Sequence, residues 1–503
     1  MNCCIYLTDS HFILKTLMKR LVWLLVSAVL TIPVYAGDKT NKTLAIDDIF
    51  PSDRVLEVKI TVDPKDWDTI RRQSRDFETA LADRRQYHPI DSPYTYVEAT
   101  VSIDGVVFPR VGVRKKGFLG SLNSNRPSLK VKLNHVHKTG QIDGLTNLTF
   151  NNNQQDVSLI SQFMGYSLFR TAGLPAPRCA YAQLSVNGQS LGVYSHVERI
   201  HRPLLKRAFG NDDGVLYEGT VVDFFEGWTG SFEKKLGKDK VGRQKIEQLI
   251  QVLKRNSQSI ETAIGELVDL NSFYTFWSME GLLGFWDGYS GNSNNFFIYL
   301  NPETDKFHFI PWGADSLFER FSPIRDDKKD PVSVKTKGLV AHKLYQLESG
   351  RHRYGQALKR LLEEYWDEKT LLAETERIEA LLKPHLLISQ SSEVGLEGVE
   401  DKVRKRKKTT KKEKAKAEPE KSEGHQSVDE FVQSLEEKRV FIRQRRVEIT
   451  GEIADGMPKW DVEPEQPFVT SSIEKFMAFS FGCISGGCLG SVSTILVSWL
   501  INR

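Results

Sequence analysis

Asp287 and Asp315 are the carboxylates that this sequence places best for chemistry. Asp287 comes directly after an apolar run, Phe273–Phe285, and ahead of Gly288 and Gly291. A carboxylate leaving such a helix into a glycine-containing loop projects into a cleft. Asn292 lies five residues further on, with Asn294 and Asn295 as close rivals. Asp315 follows the apolar stretch Phe307–Trp312, which reads as a strand that fixes its position. Carboxylate and amide oxygens are the hard donors that a divalent cation such as Mg²⁺ prefers. The plain alternatives are that Asp287 caps a turn and that Asp315 caps a helix beginning at Ser316. Cationic side chains gather upstream, at Arg114, Lys116, Lys130 and Lys132, around a turn at Gly117 whose backbone could approach a phosphate. Strand alternation puts Lys130 and Lys132 on one face. Lysine on a strand is commonly just an exposed edge residue.

The elements that must position these groups are legible from periodicity and turn signals. Val55–Val62 reads as a strand, and Pro64-Lys65-Asp66-Trp67 starts a helix. Tyr96–Ile103 and Val106–Val113 form a hairpin about Asp104-Gly105, and Leu129–Leu133 is a further short strand. Apolar residues at helical spacing run from Asp156 to Ala172 and stop at Gly173; Asp156 itself reads as an N-cap. Tyr181–Val186 and Leu191–Val197 pair about Asn187-Gly188, and Glu198 closes that hairpin. Gln244–Leu253 and Leu270–Leu283 are helical. Phe296–Leu300 and Phe307–Ile310 form a third hairpin, and Ala357–Leu382 is a strongly helical stretch. Strands come first and helices dominate later, so the fold class is α+β.

Composition bounds the rest. Of 503 residues, 40% are hydrophobic and 27% charged, the balance of a folded protein with one large or two medium domains. The net charge of +4 is misleading, because Lys402–Lys421 alone holds eleven Lys and Arg against three Glu. Outside that run acidic residues outnumber basic ones, so no nucleic-acid partner is expected. The basic run, about 400–425, has no apolar periodicity and reads as a solvated linker, followed by a helix over 426–450. At the other end, Lys19 and Arg20 precede the apolar run Leu21–Leu30, Pro33 and Val34-Tyr35-Ala36. This is the layout of a signal peptide over 1–36 cut before Gly37, with Met18 an alternative start, and an uncleaved anchor is the other reading. The protein is therefore expected to be exported, to periplasm or cell envelope. Phe476–Ile501 contains no charged residue. Its length suits a membrane anchor of about 20 residues, whereas its many Gly and Ser suit a terminal β-hairpin. Cys179, Cys483 and Cys488 make neither a disulfide framework nor a zinc site.

Six stretches in this order resemble the CotH family. They are Gly112-Val113-Arg114-Lys115-Lys116-Gly117 with Pro127–Leu133; Gly144–Leu148 with Asn151-Asn152-Asn153 and Asp156; Arg170–Ala176; Val186-Asn187-Gly188 with Gly192-Val193-Tyr194 and Glu198; Asn294-Asn295-Phe296 with Tyr299; and Ile310-Pro311-Trp312 with Asp315. The resemblance spans Val55–Leu382 and places a CotH-like domain at about 52–395. It implies a divergent protein-kinase-like fold with a β-rich N-lobe and a mostly helical C-lobe. It implies use of ATP with Mg²⁺ or Mn²⁺ to phosphorylate Ser or Thr of secreted or envelope proteins. Asp287 then becomes the catalytic carboxylate. Asp315, Asn292 and Asn295 become metal ligands, and Asp287 with Asn292 has the Asp-to-Asn spacing of ordinary kinases. Lys130, Lys116 and Gly117 become nucleotide-binding residues, with Lys130 near Asp287. Glu198 either contacts the nucleotide or braces the lysine, the alternative being an exposed residue at a strand end. One departure matters: many relatives read Trp-Asp-x-Asp where this chain has Trp312-Gly313-Ala314-Asp315. The missing carboxylate keeps two other readings open, a non-catalytic surface protein of the same fold and a metal-dependent phosphohydrolase.

Overall fold

The computed structural model describes residues 43–404 and 427–469, apart from 77–79, 119–120, 256–258, 322–329, 461 and 468. The expected signal peptide, the basic run beyond residue 404 and the apolar segment 476–501 lie outside the described residues. Among the described residues no helix is long and apolar enough to cross a membrane.

Seven strands form a closed barrel: β1 (Val55–Val62), β2 (Val97–Ile103), β3 (Val106–Lys115), β4 (Leu129–Lys132), β5 (Asn147–Asn151), β6 (Cys179–Val186) and β7 (Gln189–Val197). The order around it is β1-β2-β3-β4-β5-β7-β6. Every recorded pairing is antiparallel except β1 with β6, which run parallel with Val55 opposite Tyr181 and close the ring. Closure removes the exposed edges that an open sheet would present. Alternation does the sorting. Leu56, Val58, Ile60 and Val62 of β1 point inward and are buried, while Glu57, Lys59 and Thr61 face out. Helix α1 (Pro64–Arg72) follows β1, capped by Asp63, whose carboxylate accepts from Lys65 N at 2.8 Å. Helix α2 (Ser161–Thr171) packs between the barrel and the rest of the chain. It begins five residues later than periodicity predicts, because Asp156 folds back to accept from Ser161 N and starts the helix from a distance.

Beyond the barrel come α3 (Arg202–Phe209), β8 (Val215–Gly219), β9 (Glu233–Leu236), α4 (Asp239–Leu253), α5 (Ile260–Gly265), α6 (Leu270–Leu283) and the single turn α7 (Tyr289–Asn292). Strands β10 (Phe296–Asn301) and β11 (Lys306–Pro311) complete a four-stranded sheet ordered β11-β10-β8-β9. The expected third hairpin is therefore half of a larger sheet. Its other half was invisible because β8 and β9 are short and, in β9, mostly charged. Helices α8 (Leu339–Tyr345), α9 (Glu348–Glu364), α10 (Glu368–Arg404) and α11 (Val428–Glu452) follow. The stretch expected as one helix over 357–382 is two, broken at Tyr365–Asp367, where Asp367 accepts from Lys369 N and starts α10. The result is a mixed α+β molecule, β-rich at the start and largely helical later. Its larger core is built on α6, which is buried on nearly every face from Phe273 to Leu283. Phe431, Leu435, Ile442 and Ile449 of α11 join that same core.

Candidate active site

Helix α6 delivers Asp287. The helix ends at Gly284, whose φ of +63° suits glycine and where a Cβ would run into the Glu319 carbonyl. The chain then turns through Phe285 and Trp286 into a loop held from behind by two buried carboxylates. Glu280 accepts from Tyr289 N and Ser290 N, both at 2.8 Å, and so caps α7. Asp223 accepts from Tyr289 OH at 3.1 Å, Ser293 Oγ at 3.0 Å and Leu339 N at 2.7 Å. Burial pushes Glu280 up to about 7 and Asp223 up to about 6. The Asp287 carboxylate accepts from three side-chain amides: Asn292 at 2.7 Å, Asn294 at 3.1 Å and Asn295 at 2.7 Å. Burial raises its pKa, against the pull of those three donors. With their nitrogens turned to Asp287, Asn292 and Asn295 keep their Oδ1 atoms for another partner. Asn294 does not, because its Oδ1 accepts from Val221 N.

Asp315 reaches the same place from β11. No helix begins at Ser316, so the capping alternative falls. The carboxylate instead accepts from Asn151 Nδ2 of β5 at 3.1 Å, a contact across the barrel and the helical half. Burial pushes Asp315 up to about 6; Asp287 adds like-charge repulsion, while the Asn151 hydrogen bond and Lys116 oppose it. Gly313 explains its own identity. It has φ +53°, and a Cβ there would run into Asn295 Oδ1. A carboxylate at this position would have to displace an amide that holds Asp287.

The cations occupy the barrel side. Lys116 N donates to Ser128 O at 2.8 Å, and Gly117 follows with φ +132°. A Cβ on Gly117 would meet Ser121 Oγ at 2.6 Å, and Tyr94 OH donates to the Gly117 carbonyl at 2.9 Å. The turn is therefore held from two sides. Burial lowers the Lys116 pKa, and Asp315 and Glu218 pull it back. Burial also pushes Lys130 down to about 7, with repulsion from Arg199, Arg114 and Lys235 adding to it and Glu218 opposing. Neither lysine makes an ion pair among the described residues.

The two lysines face different neighbours. Lys116 faces Asp315. Lys130 faces Arg199, Arg114, Lys235 and Glu218. Glu198 is neither exposed nor a brace for a lysine. It is fully buried, and its Oε2 accepts from Arg207 Nη2 at 2.6 Å and Arg178 N at 2.9 Å. The acid that faces both lysines is Glu218 of β8, itself paired with Lys235 at 2.5 Å. Glu218 carried no sequence signal, since β8 was not legible. Asn151 did have one, in the Asn151-Asn152-Asn153 run.

Among the described residues no three His, Cys, Asp or Glu side chains cluster as a ready-made metal site. The oxygen donors that could hold a cation are instead the Asp315 carboxylate and the amide oxygens of Asn292 and Asn295, with the Asp287 carboxylate beside them. That fits Mg²⁺ or Mn²⁺ held together with phosphate oxygens and water, and does not fit a softer metal.

Comparison with known proteins gives the family. The family described as CotH kinase protein matches residues 113–449. The chain is 22% identical over 251 residues to inner spore coat protein H of Bacillus subtilis (strain 168), covering 47% of this chain and 68% of that one. It is 37% identical over 67 residues to the inner spore coat protein H-like protein of the same organism, covering 13% of this chain and 22% of the relative. The family match takes in Lys116, Asp287, Asp315 and most of α11 and extends over well over half of the sequence, so the chain belongs to the CotH kinase family.

Proposed function

We propose that this chain is an ATP-dependent protein kinase that phosphorylates Ser or Thr hydroxyls of an exported or cell-envelope protein. The observation that carries the reading is the convergence of Asp287, from the helical half, and Asp315, which is bonded to the barrel through Asn151, beside Lys116. The barrel and the helix-rich half correspond on this reading to the two lobes of a divergent protein-kinase fold. Family membership supports ATP as the donor. Asp287 accepts the proton as the acceptor oxygen bonds to the γ-phosphorus and the bond to the ADP oxygen breaks. Asp315, with Asn292 and Asn295, would hold the divalent cation, which when bound supplies charge neutralisation on the phosphates. Lys116, the Gly117 backbone and Lys130 bind and orient the polyphosphate. Export and anchoring rest on the leader and the terminal apolar segment of the sequence.

Gly313 favours a second reading, a non-catalytic member of the family, since one acidic side chain is absent beside Asp315. Labelled ATP with Mg²⁺ or Mn²⁺ separates the two. The kinase reading expects transfer to the chain itself or to a generic acceptor protein. In D287N, which keeps the size of the side chain, transfer falls by roughly 10²–10⁴-fold, the usual contribution of a positioned general base. No transfer by the wild-type chain would favour the non-catalytic member. Release of free phosphate alone would indicate a hydrolase.

A further inference from the structure

Helix α11 lies beyond the basic run, yet three of its charged side chains, Lys438, Arg445 and Glu452, turn inside the molecule onto the segments that leave Asp315 and deliver Asp287. Lys438 is 8% exposed and donates to Leu317 O at 3.0 Å, two residues past Asp315, and to Glu319 Oε1 at 3.0 Å. The other oxygen of Glu319 accepts from the Trp286 indole at 2.9 Å, one residue before Asp287. Arg445 is 1% exposed and donates to Leu282 O at 2.9 Å, to Gly281 O and to Val332 O at 2.7 Å. Glu452 accepts from Val332 N at 2.9 Å and Ser333 N at 2.7 Å. Between these anchors Phe318 has φ +58°, a left-handed backbone for a bulky side chain, and its ring packs edge-on against Phe441 of α11. A conformation of that kind is strained and persists only where its surroundings over-determine it.

We infer that α11 is the positioning element of the active site, and that Lys438, through Glu319 and Trp286, is the residue that sets Asp287 and Asp315 in register. Lys438 is not a catalytic residue, because it touches neither carboxylate. The chemistry favours this role over mere packing. A buried ammonium needs partners, and any carbonyl would serve for stability. Here the partners are one backbone carbonyl after Asp315 and one carboxylate shared with the residue before Asp287. This rests on the kinase reading for its rate measurement but not for its structural one.

The test uses the full chain with K438M, K438R, E319Q and, as a control on the exposed face of the same helix, R443A. Turnover, KM for ATP, melting temperature and amide hydrogen exchange are measured on each. Expected for K438M and E319Q is a kcat loss of about tenfold or more with KM changed by less than about threefold, assayed well below melting, the pattern of a lost transition-state arrangement. Exchange should rise in peptides spanning Asp287 and Asp315. K438R should recover most of the rate, and R443A should match wild type. If K438M does not fold, E319Q decides on the same criteria. The inference is overturned if kcat stays within about twofold of wild type, or if the rate loss tracks the melting temperature and vanishes on cooling. A wild-type chain that transfers no phosphate would sink the kinase reading alone. Hydrogen exchange then decides the inference, unchanged exchange at Asp287 and Asp315 in both variants overturning it.

Discussion

At the scale of single residues, charge states and steric room decide the site. Lys130 loses its proton near pH 7, because burial and three neighbouring cations outweigh Glu218. The sign follows directly: the ammonium is present below about 7 and absent above it, so attraction for a polyphosphate is greatest below. Metal-free nucleotide affinity should therefore fall as pH rises from about 6 to about 9, with proton uptake on binding at the alkaline end. Replacing Lys130 with Met should flatten that dependence, and calorimetry in buffers of different ionisation enthalpy reads both. Gly313 makes a second prediction. Restoring the missing carboxylate with G313D forces a side chain into a left-handed backbone and against Asn295. We expect a stability loss of about 1–2 kcal/mol, from the left-handed backbone alone, and no gain in activity. A G313D protein that is as stable as wild type and more active would mean that Asn295 yields easily.

Elements position these residues through buried polar contacts as well as through packing. Glu280 sits inside α6, yet it works for α7, holding the amides of Tyr289 and Ser290. Cutting it to Ala leaves two buried N–H groups without a partner, a penalty of about 1–3 kcal/mol each where it is not relieved by water. E280A should melt at a lower temperature and lose turnover together, since the turn it caps carries Asn292 toward Asp287. Retained turnover at an unchanged melting temperature would show that the α7 amides find other acceptors. The hairpins, by contrast, were legible from sequence. Asp104-Gly105 and Asn187-Gly188 do adopt the positive φ angles that two-residue turns require. Strands β5, β8 and β9 were not legible. Glu233–Leu236 has three charged residues among its four and no alternation, whereas Asn147–Asn151 does alternate, with Leu148 and Phe150 its only apolar residues in a run of five.

At the scale of the whole molecule, the described α11 is part of the core and not an appendage. Ending the chain at Arg404 would remove Phe431, Leu435, Ile442 and Ile449 from that core and strip Arg445 from three carbonyls. Each large apolar side chain is worth about 1.5–3 kcal/mol of burial, so the loss approaches the whole stability of a typical domain. The truncated chain should be insoluble or melt without cooperativity by calorimetry. A sharp transition within a few degrees of wild type would show the helix to be dispensable.

The sequence alone determined local things: turns, the apolar periodicity of most strands and of α6, and the residue types that could hold a cation or a phosphate. Local interactions act between neighbours in the chain, so local sequence suffices to specify them. It also carried the family signature in six ordered stretches. The tertiary structure decided which candidates meet. Asn151 and Asp315 are bonded across 164 residues of chain. Glu218 faces the lysines, while Glu198 is spent on Arg207. Lys438 reaches Glu319 across 119 residues. Such pairings depend on barrel closure and helix packing, and burial then fixes the charge states. No spacing along the chain encodes either one, because a long-range contact is set by the sum of all the packing between its ends.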